Sequence, residues 1–238
     1  MVKPILGVTM GDASGAGPEI VTKAWADPAI REMSRIVVIG DARCMARAFE
    51  ITGVPGEVHP VNQVGEARFE KGLLDVLDLD DIDLDKLVFG KVQAMAGKAA
   101  YEAVAKSIDL AMAGEIDAIV TSALHKKALN LAGYHYSGHT EILAERTGTK
   151  SVAMMLIADA FRVTHVSTHC SLRQAIDRVQ QGRIREVIHL TDEVLRRLGI
   201  ERPYLAVAGL NPHAGEGGLF GDEEIREIAP AIKPARQE

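Results

Sequence analysis

Strand-like and helix-like segments alternate almost from one end of this chain to the other, and that alternation leaves few folds open. Apolar runs at 4–10, 35–40 and 116–121 each break into a loop and then into a segment with helical spacing. Pro18 falls in the first turn of the helix that follows the glycine loop 11–17, where a missing N–H costs nothing. Shorter strands are expected at 57–61 and 73–79, a solvated acidic loop at 78–85, and a long helix at 94–113 closed by Gly114. Helices follow at 124–131 and 140–146. Strands 151–158 and 162–166 should form a hairpin turning at Asp159-Ala160. Ser171 and Gln174 form a capping box opening the next helix, 183–198 is another, 204–210 reads as a buried strand, and a last helix starts at 222. Repeated strand–helix crossover of this kind dictates an α/β fold, a largely parallel sheet with helices on both faces. Such a sheet would normally continue past the last helix, so the architecture reads as unfinished.

With 238 residues the chain can form one large or two small domains. No apolar run approaches the ~20 residues of a membrane span. The N-terminus lacks the apolar core and cleavage site of a signal peptide, so a cytoplasmic location is expected. A formal charge of −6 and only 4% aromatic residues argue against nucleic acid or an anionic membrane as partner. An anionic substrate would need a local cluster to capture it. Cys44 and Cys170 are too few for a disulfide framework and lack zinc-motif spacing; Cys170, next to His169, is either a small strand-end residue or part of a site.

Chemistry concentrates where strands end. The run 204–210 stops at Asn211-Pro212 and opens into His213-Ala214-Gly215-Glu216-Gly217-Gly218, where proline ends a ladder and glycines let backbone approach a ligand. His169 stands similarly after the strand 161–168. Two strand-end imidazoles point to one shared site, as metal ligands or as acid and base. A catalytic zinc takes three protein ligands, so two histidines alone are incomplete. The loop 10–19 can bring backbone N–H groups to an anion from a strand end that also carries Asp12, or it is a plain tight connection. Lys126 and Lys127 occupy a first helical turn, where cations oppose the dipole, which favours a function for one of them. His139 and Thr140 begin the next helix. Thr140 can cap it, its hydroxyl and the free N–H groups can hold a phosphate or carboxylate, and His139 is either a surface residue or a substrate ligand. His165 reads as a satisfied core residue, and His59, His135 and His189 as surface.

Five motifs in order now carry a resemblance: Met-Gly-Asp-x-x-Gly-x-Gly-Pro-Glu at 10–19, Leu-His-Lys-Lys-Ala-Leu at 124–129, Gly-His-Thr-Glu at 138–141, Ser-Thr-His at 167–169 and Asn-Pro-His-Ala-Gly-Glu at 211–216. Together they resemble the 4-hydroxythreonine-4-phosphate dehydrogenase (PdxA) family. The last motif and the Gly-Leu-Phe-Gly-Asp-Glu-Glu after it are most similar to the branch acting on D-threonate or D-erythronate 4-phosphate. The resemblance implies an NAD- or NADP-dependent oxidation of a phosphorylated hydroxy acid followed by decarboxylation, in pyridoxine biosynthesis or a related setting. It implies a divalent metal (Zn, Mg, Mn or Co) on His169 and His213, with a third histidine supplied across the interface of a homodimer. It also implies substrate contacts at His139 and Thr140; Lys126, which matches the family's Asn-Lys or His-Lys pair by position and either touches substrate or orients the loop, and Asp12, which can reach the site from its strand end, are the expected catalytic residues. The implied fold is two α/β lobes, 1–120 and 121–238, around an interdomain cleft as in isocitrate and isopropylmalate dehydrogenases.

Ala13 and Ala123 stand where family members commonly have proline, which loosens those turns without removing a reactive group. Family members also continue beyond position 238 with a strand ending in His-Asp-Gln-Gly, the source of the third metal ligand. Both lobes should therefore be incomplete and the chain alone weakly active or inactive. Two further readings stand beside this one: a dehydrogenase of a cyclic dihydrodiol carboxylate, and a non-catalytic remnant of the family. An unrelated α/β phosphatase or kinase is disfavoured by the absence of a phosphoaspartate motif and a Walker loop.

Overall fold

A computed structural model describes residues 2–238, which divide into two compact units, Met1–Gly148 and Thr149–Glu238. In the first, strands β1 (Ile5–Thr9), β2 (Arg35–Gly40), β3 (Glu57–Val61), β4 (Leu73–Asp78) and β5 (Ala118–Val120) form one sheet in the order β3-β4-β2-β1-β5. Every pairing is parallel. Helices α1 (Gly17–Ala26), α2 (Pro28–Met33), α3 (Ala42–Thr52), α4 (Ala94–Met112), α5 (Lys126–Leu131) and α6 (His139–Thr147) connect and cover the strands.

The central strand β2 shows why the sheet is covered on both faces. Val38 packs with Trp25 of α1 and Met45 and Phe49 of α3, while its neighbours Val37 and Ile39 pack with Ala103 and Leu110 of α4. All three side chains are fully buried, which contributes roughly 1.5–3 kcal/mol each. Alternation at period 2 thus feeds two cores, and the strand reads as a continuous apolar run. The far side of α4 buries Val104 and Ile108 against Leu129 of α5 and Ile142 of α6. That third layer places 121–148 in the first unit, whereas the sequence division at 120/121 gave it to the second lobe.

The second unit holds the antiparallel hairpin of β6 (Met155–Ala158) and β7 (Phe161–Thr164), turning at Asp159-Ala160 as its sequence predicts. Helices α7 (Leu172–Asp177), α8 (Gln181–Arg197) and α9 (Ala229–Ala235) follow, the last entered through a π-helical turn at Glu224–Ile228. Ser171 and Gln174 form the expected capping box at α7. Ile184, Ile228 and Ala231 make the core, with Val166 and Val207 against it.

Segment 204–210 is not the buried strand expected from its apolar run. Among the described residues it joins no ladder, Tyr204 is 94% exposed, and only alternate side chains such as Leu205 and Val207 are half-buried. The acidic stretch 78–85 also departs from a solvated loop, since Ile82 is in the core and both Asp81 carboxylate oxygens are buried.

Candidate active site

The strands of a parallel sheet present their catalytic loops at the carboxyl edge, and ligands favour the crevice where neighbouring strands send their loops to opposite faces. Strands β1 and β5 are such neighbours. The loop after β1 leads to α1, which packs with α3, while the loop after β5 leads to α5, which packs with α4. Three predicted site residues, Asp12, Lys126 and His139, lie on or beside these two loops.

The two loops are laced together. Thr9 Oγ1 accepts the Ser122 N–H at 3.0 Å, the Asp12 N–H donates to the Ala123 carbonyl at 2.8 Å, and Ser122 Oγ donates to the Gly17 carbonyl at 3.4 Å. Gly11, at φ 81°, allows this approach, because a Cβ there would lie 2.6 Å from the Ala123 oxygen and 2.9 Å from the Ser122 side chain. Asp12 is 8% exposed, and its Oδ1 accepts the Ser14 N–H at 2.8 Å, so this carboxylate builds the turn it sits in. His125 caps α5 by accepting the Ala128 N–H, which leaves Lys126 and Lys127 exposed in the first turn.

Helix α6 begins at His139, with the buried Gly138 as its N-cap and no side-chain cap. Thr140 therefore lies inside the first turn and does not cap the helix; the cap position falls two residues earlier, on Gly138, whose extended backbone turns the chain into α6. The N–H groups of that turn remain free of side-chain acceptors, a favourable setting for an anion. The Nε2 of the His139 ring is buried without a partner. Burial holds this imidazole below the ordinary histidine range, so the ring is neutral near pH 7. Glu141, two residues on, also carries a buried unpartnered oxygen, Oε2.

In the second unit, His169 and His213 both have left-handed backbone, each at φ 52°. Both are exposed, but neither ends a strand among the described residues: β7 stops at Thr164, short of the strand expected through 168, and 204–210 joins no ladder. His213 opens a run of left-handed residues through Gly217, which costs about 1–2 kcal/mol at each non-glycine position. Glu224 holds the start of that run by accepting the N–H groups of Leu210 and Asn211, each at 2.7 Å, and the Asn211 amide at 2.9 Å. Gly215 is buried beneath it, where a Cβ would lie 2.7 Å from the Gly221 carbonyl. His213 Nδ1 is 2.9 Å from Glu216 Oε2, the carboxylate–histidine pairing that orients a metal-binding ring and leaves Nε2 outward. Among the described residues no three His, Cys, Asp or Glu side chains form a group able to hold a metal. Each imidazole by itself is a donor that divalent transition metals accept, and a bound metal would need further donors.

Sequence reasoning missed the pairing of Thr9 with Ser122 and of Asn211 with Glu224, partners 113 and 13 residues apart. It also placed His59 at the surface. That ring is largely buried, with Nδ1 2.8 Å from the buried Asp75 carboxylate. His165 is half-buried against the Met154 carbonyl, as a satisfied histidine should be.

A parallel sheet of this order, covered by helices on both faces and with laced loops at its switch point, defines an open α/β protein. Residues 32–238 match the model of the family described as pyridoxal phosphate biosynthetic protein PdxA, and the chain belongs to that family. It is 44% identical over 236 residues to a Symbiobacterium thermophilum protein named "Putative D-threonate 4-phosphate dehydrogenase", covering 99% of this chain and 70% of that protein. A crystal structure of 4-hydroxythreonine-4-phosphate dehydrogenase from Klebsiella pneumoniae is 44% identical with a TM-score of 0.90, over 99% of this chain and 71% of that one. A terephthalate 1,2-cis-dihydrodiol dehydrogenase from Burkholderia xenovorans is more distant, 28% identical with a TM-score of 0.65, over 99% and 71% of the two chains. Among the described residues no helix is long and apolar enough to cross a membrane.

Proposed function

We propose that this protein serves the NAD- or NADP-dependent oxidation of a phosphorylated hydroxy acid, D-threonate 4-phosphate or a close analogue, with decarboxylation of the keto acid. The observation that carries the reading is the buried, unpartnered Nε2 of His139 beside the free N–H groups of α6, in a chain of the PdxA family. An acceptor nitrogen next to an anion-favouring helix start matches a ligand that offers both a hydroxyl and a negative charge. When bound, the nicotinamide accepts hydride, and a divalent metal held by His169 and His213 lowers the pKa of the alcohol.

His139 accepts the substrate O–H through Nε2 and, being neutral, does so without charge repulsion or attraction at that atom. Thr140 offers its hydroxyl and the N–H groups of its turn to the acid. Lys126, exposed at the start of α5, supplies a cation for the phosphate or carboxylate. Asp12 keeps the β1 loop folded against the β5 loop. Greater similarity to the threonate phosphate relatives than to the dihydrodiol dehydrogenase favours a phosphorylated substrate.

Calorimetric titration with D-threonate 4-phosphate in the presence of Mn²⁺ tests the reading. Loss of one hydrogen bond in His139→Phe should weaken binding by about 1–2 kcal/mol, roughly 5- to 30-fold. His139→Gln, which restores an acceptor near the Nε2 position, should recover part of it. Equal affinity of wild type and His139→Phe, or no competition by inorganic phosphate, would overturn it.

A further inference from the structure

We propose that a pocket at the amino edge of the first unit's sheet binds a small oxyanion, a phosphate or carboxylate group carried by a metabolite. The pocket has a volume of about 510 Å³, within the roughly 300–1,000 Å³ of small-molecule sites. It lies beside the first residues of β2 and β4, whereas the loops after β1 and β5 leave from the carboxyl edge. The length of β2 sets the two edges about 16 Å apart, at about 3.3 Å per residue. Four cations line the pocket: Lys3 before β1, Arg31 in the last turn of α2, Arg35 at the start of β2 and Lys71 before β4. Hydrogen bonds to backbone brace three of them together. Lys3 Nζ donates to the Arg31 carbonyl at 2.7 Å, and Arg35 Nε donates to the Lys3 carbonyl at 2.9 Å. Among the described residues none of the four forms an ion pair with a carboxylate. Like charges gathered in this way raise the energy of the fold, and an anion held between them lowers it. Two exposed carboxylates, Glu32 and Glu70, also line the pocket and leave its balance positive, in a chain whose formal charge is −6.

The walls of the pocket are pinned. Asp75, 1% exposed, accepts the Arg68 N–H at 3.1 Å and the Phe69 N–H at 2.8 Å, and its Oδ1 lies 2.8 Å from His59 Nδ1. This third carboxylate is therefore already engaged, and its bonds hold the loop that carries Phe69. Phe69 is left-handed at φ 53°, a conformation that a bulky side chain rarely takes, and such outliers collect at ligand clamps. The Phe69 ring meets the Arg35 guanidinium, with Cζ 5.1 Å from the ring centroid. Arg31 lies over the Trp25 ring in the same way, at 5.7 Å. Each guanidinium is thus held by its flat face, which leaves the N–H edge for an oxyanion. Arginine's planar fork takes phosphate or carboxylate oxygens in pairs, and the lysines add point charge.

Trp25 is the only tryptophan of the chain and lines this pocket, so its fluorescence reads the site directly. Titration with pyrophosphate, and separately with citrate, at constant ionic strength should give a saturable change with at least one of them. The tighter of the two identifies which oxyanion the pocket prefers. Arg35→Gln should weaken that binding roughly 10- to 100-fold, the loss expected for charge-assisted hydrogen bonds. Lys71→Gln, at an exposed position, should weaken it by roughly 2- to 5-fold. Should Arg35→Gln fail to fold by circular dichroism, Arg31→Gln carries the comparison. His139→Phe should titrate as wild type does, which separates this pocket from any anion held at the start of α6. No saturable change with either anion, wild-type affinity in a folded Arg35→Gln or Arg31→Gln, or loss of the signal in His139→Phe overturns the proposal.

Discussion

Replacing Gly11 by alanine tests whether the loops after β1 and β5 touch as closely as described. Two costs combine there. At φ 81° an alanine pays the left-handed penalty, about 1–2 kcal/mol. Its Cβ would also lie 2.6 Å from the Ala123 carbonyl oxygen and 2.9 Å from Ser122 Cβ and Oγ, so backbone must shift, an overpacking cost of about 1–3 kcal/mol. The sum is roughly 2–5 kcal/mol, or about 4–20 °C in Tm for a chain of this size. Gly53, the left-handed C-cap of α3 at φ 65°, isolates the first cost, because nothing lies within 4 Å of a Cβ built there. Gly53→Ala should cost only about 1–2 kcal/mol. Thermal unfolding by circular dichroism, repeated in urea, gives both values. Equal losses in the two variants would refute the close approach, and with it the lacing that fixes Ser122.

Two further outcomes concern pH. Burial, with Glu102 and Asp41 nearby, pushes the Asp81 carboxyl up to about 6, so the folded protein loses stability as pH rises from the unfolded value of 3.8 through 6. Asp81→Asn should therefore raise Tm more at pH 7 than at pH 4; an equal gain at both would contradict it. Hydrogen bonds from the Asn211 side chain and backbone hold Glu224 down at about 2, so its contribution is complete above 4.5 and is lost as pH falls toward 2. Hydrogen exchange at the Leu210 and Asn211 amides should lose protection across that window in wild type. In Glu224→Gln, which cannot titrate, the protection should not change with pH over the same range.

Much of the fold was legible because its signals are local. The apolar runs of β1 and β2, Pro18 at the start of α1, and the capping box at Ser171 each act within a few residues. The turn at Asp159-Ala160 was legible for the same reason. What escaped depends on partners distant in sequence. The run 204–210 has the composition of a strand, but composition cannot supply a neighbouring strand, and none pairs with it among the described residues. The glycine-rich stretch after Asn211 was recognised as a site, yet its left-handed path is held by Glu224, thirteen residues beyond Asn211. His59 read as surface because its carboxylate partner, Asp75, lies on the adjacent strand. Thr9 carried no signal of its own, since a threonine ending a strand is ordinary until its hydroxyl is seen to hold Ser122.

The most direct measurement is a crystal structure of the protein with D-threonate 4-phosphate and Mn²⁺ bound. A ligand hydroxyl should lie within about 2.6–3.2 Å of His139 Nε2, with an anionic group over the first turn of α6. A ligand seated elsewhere, with Nε2 still buried and unpartnered, would contradict the account.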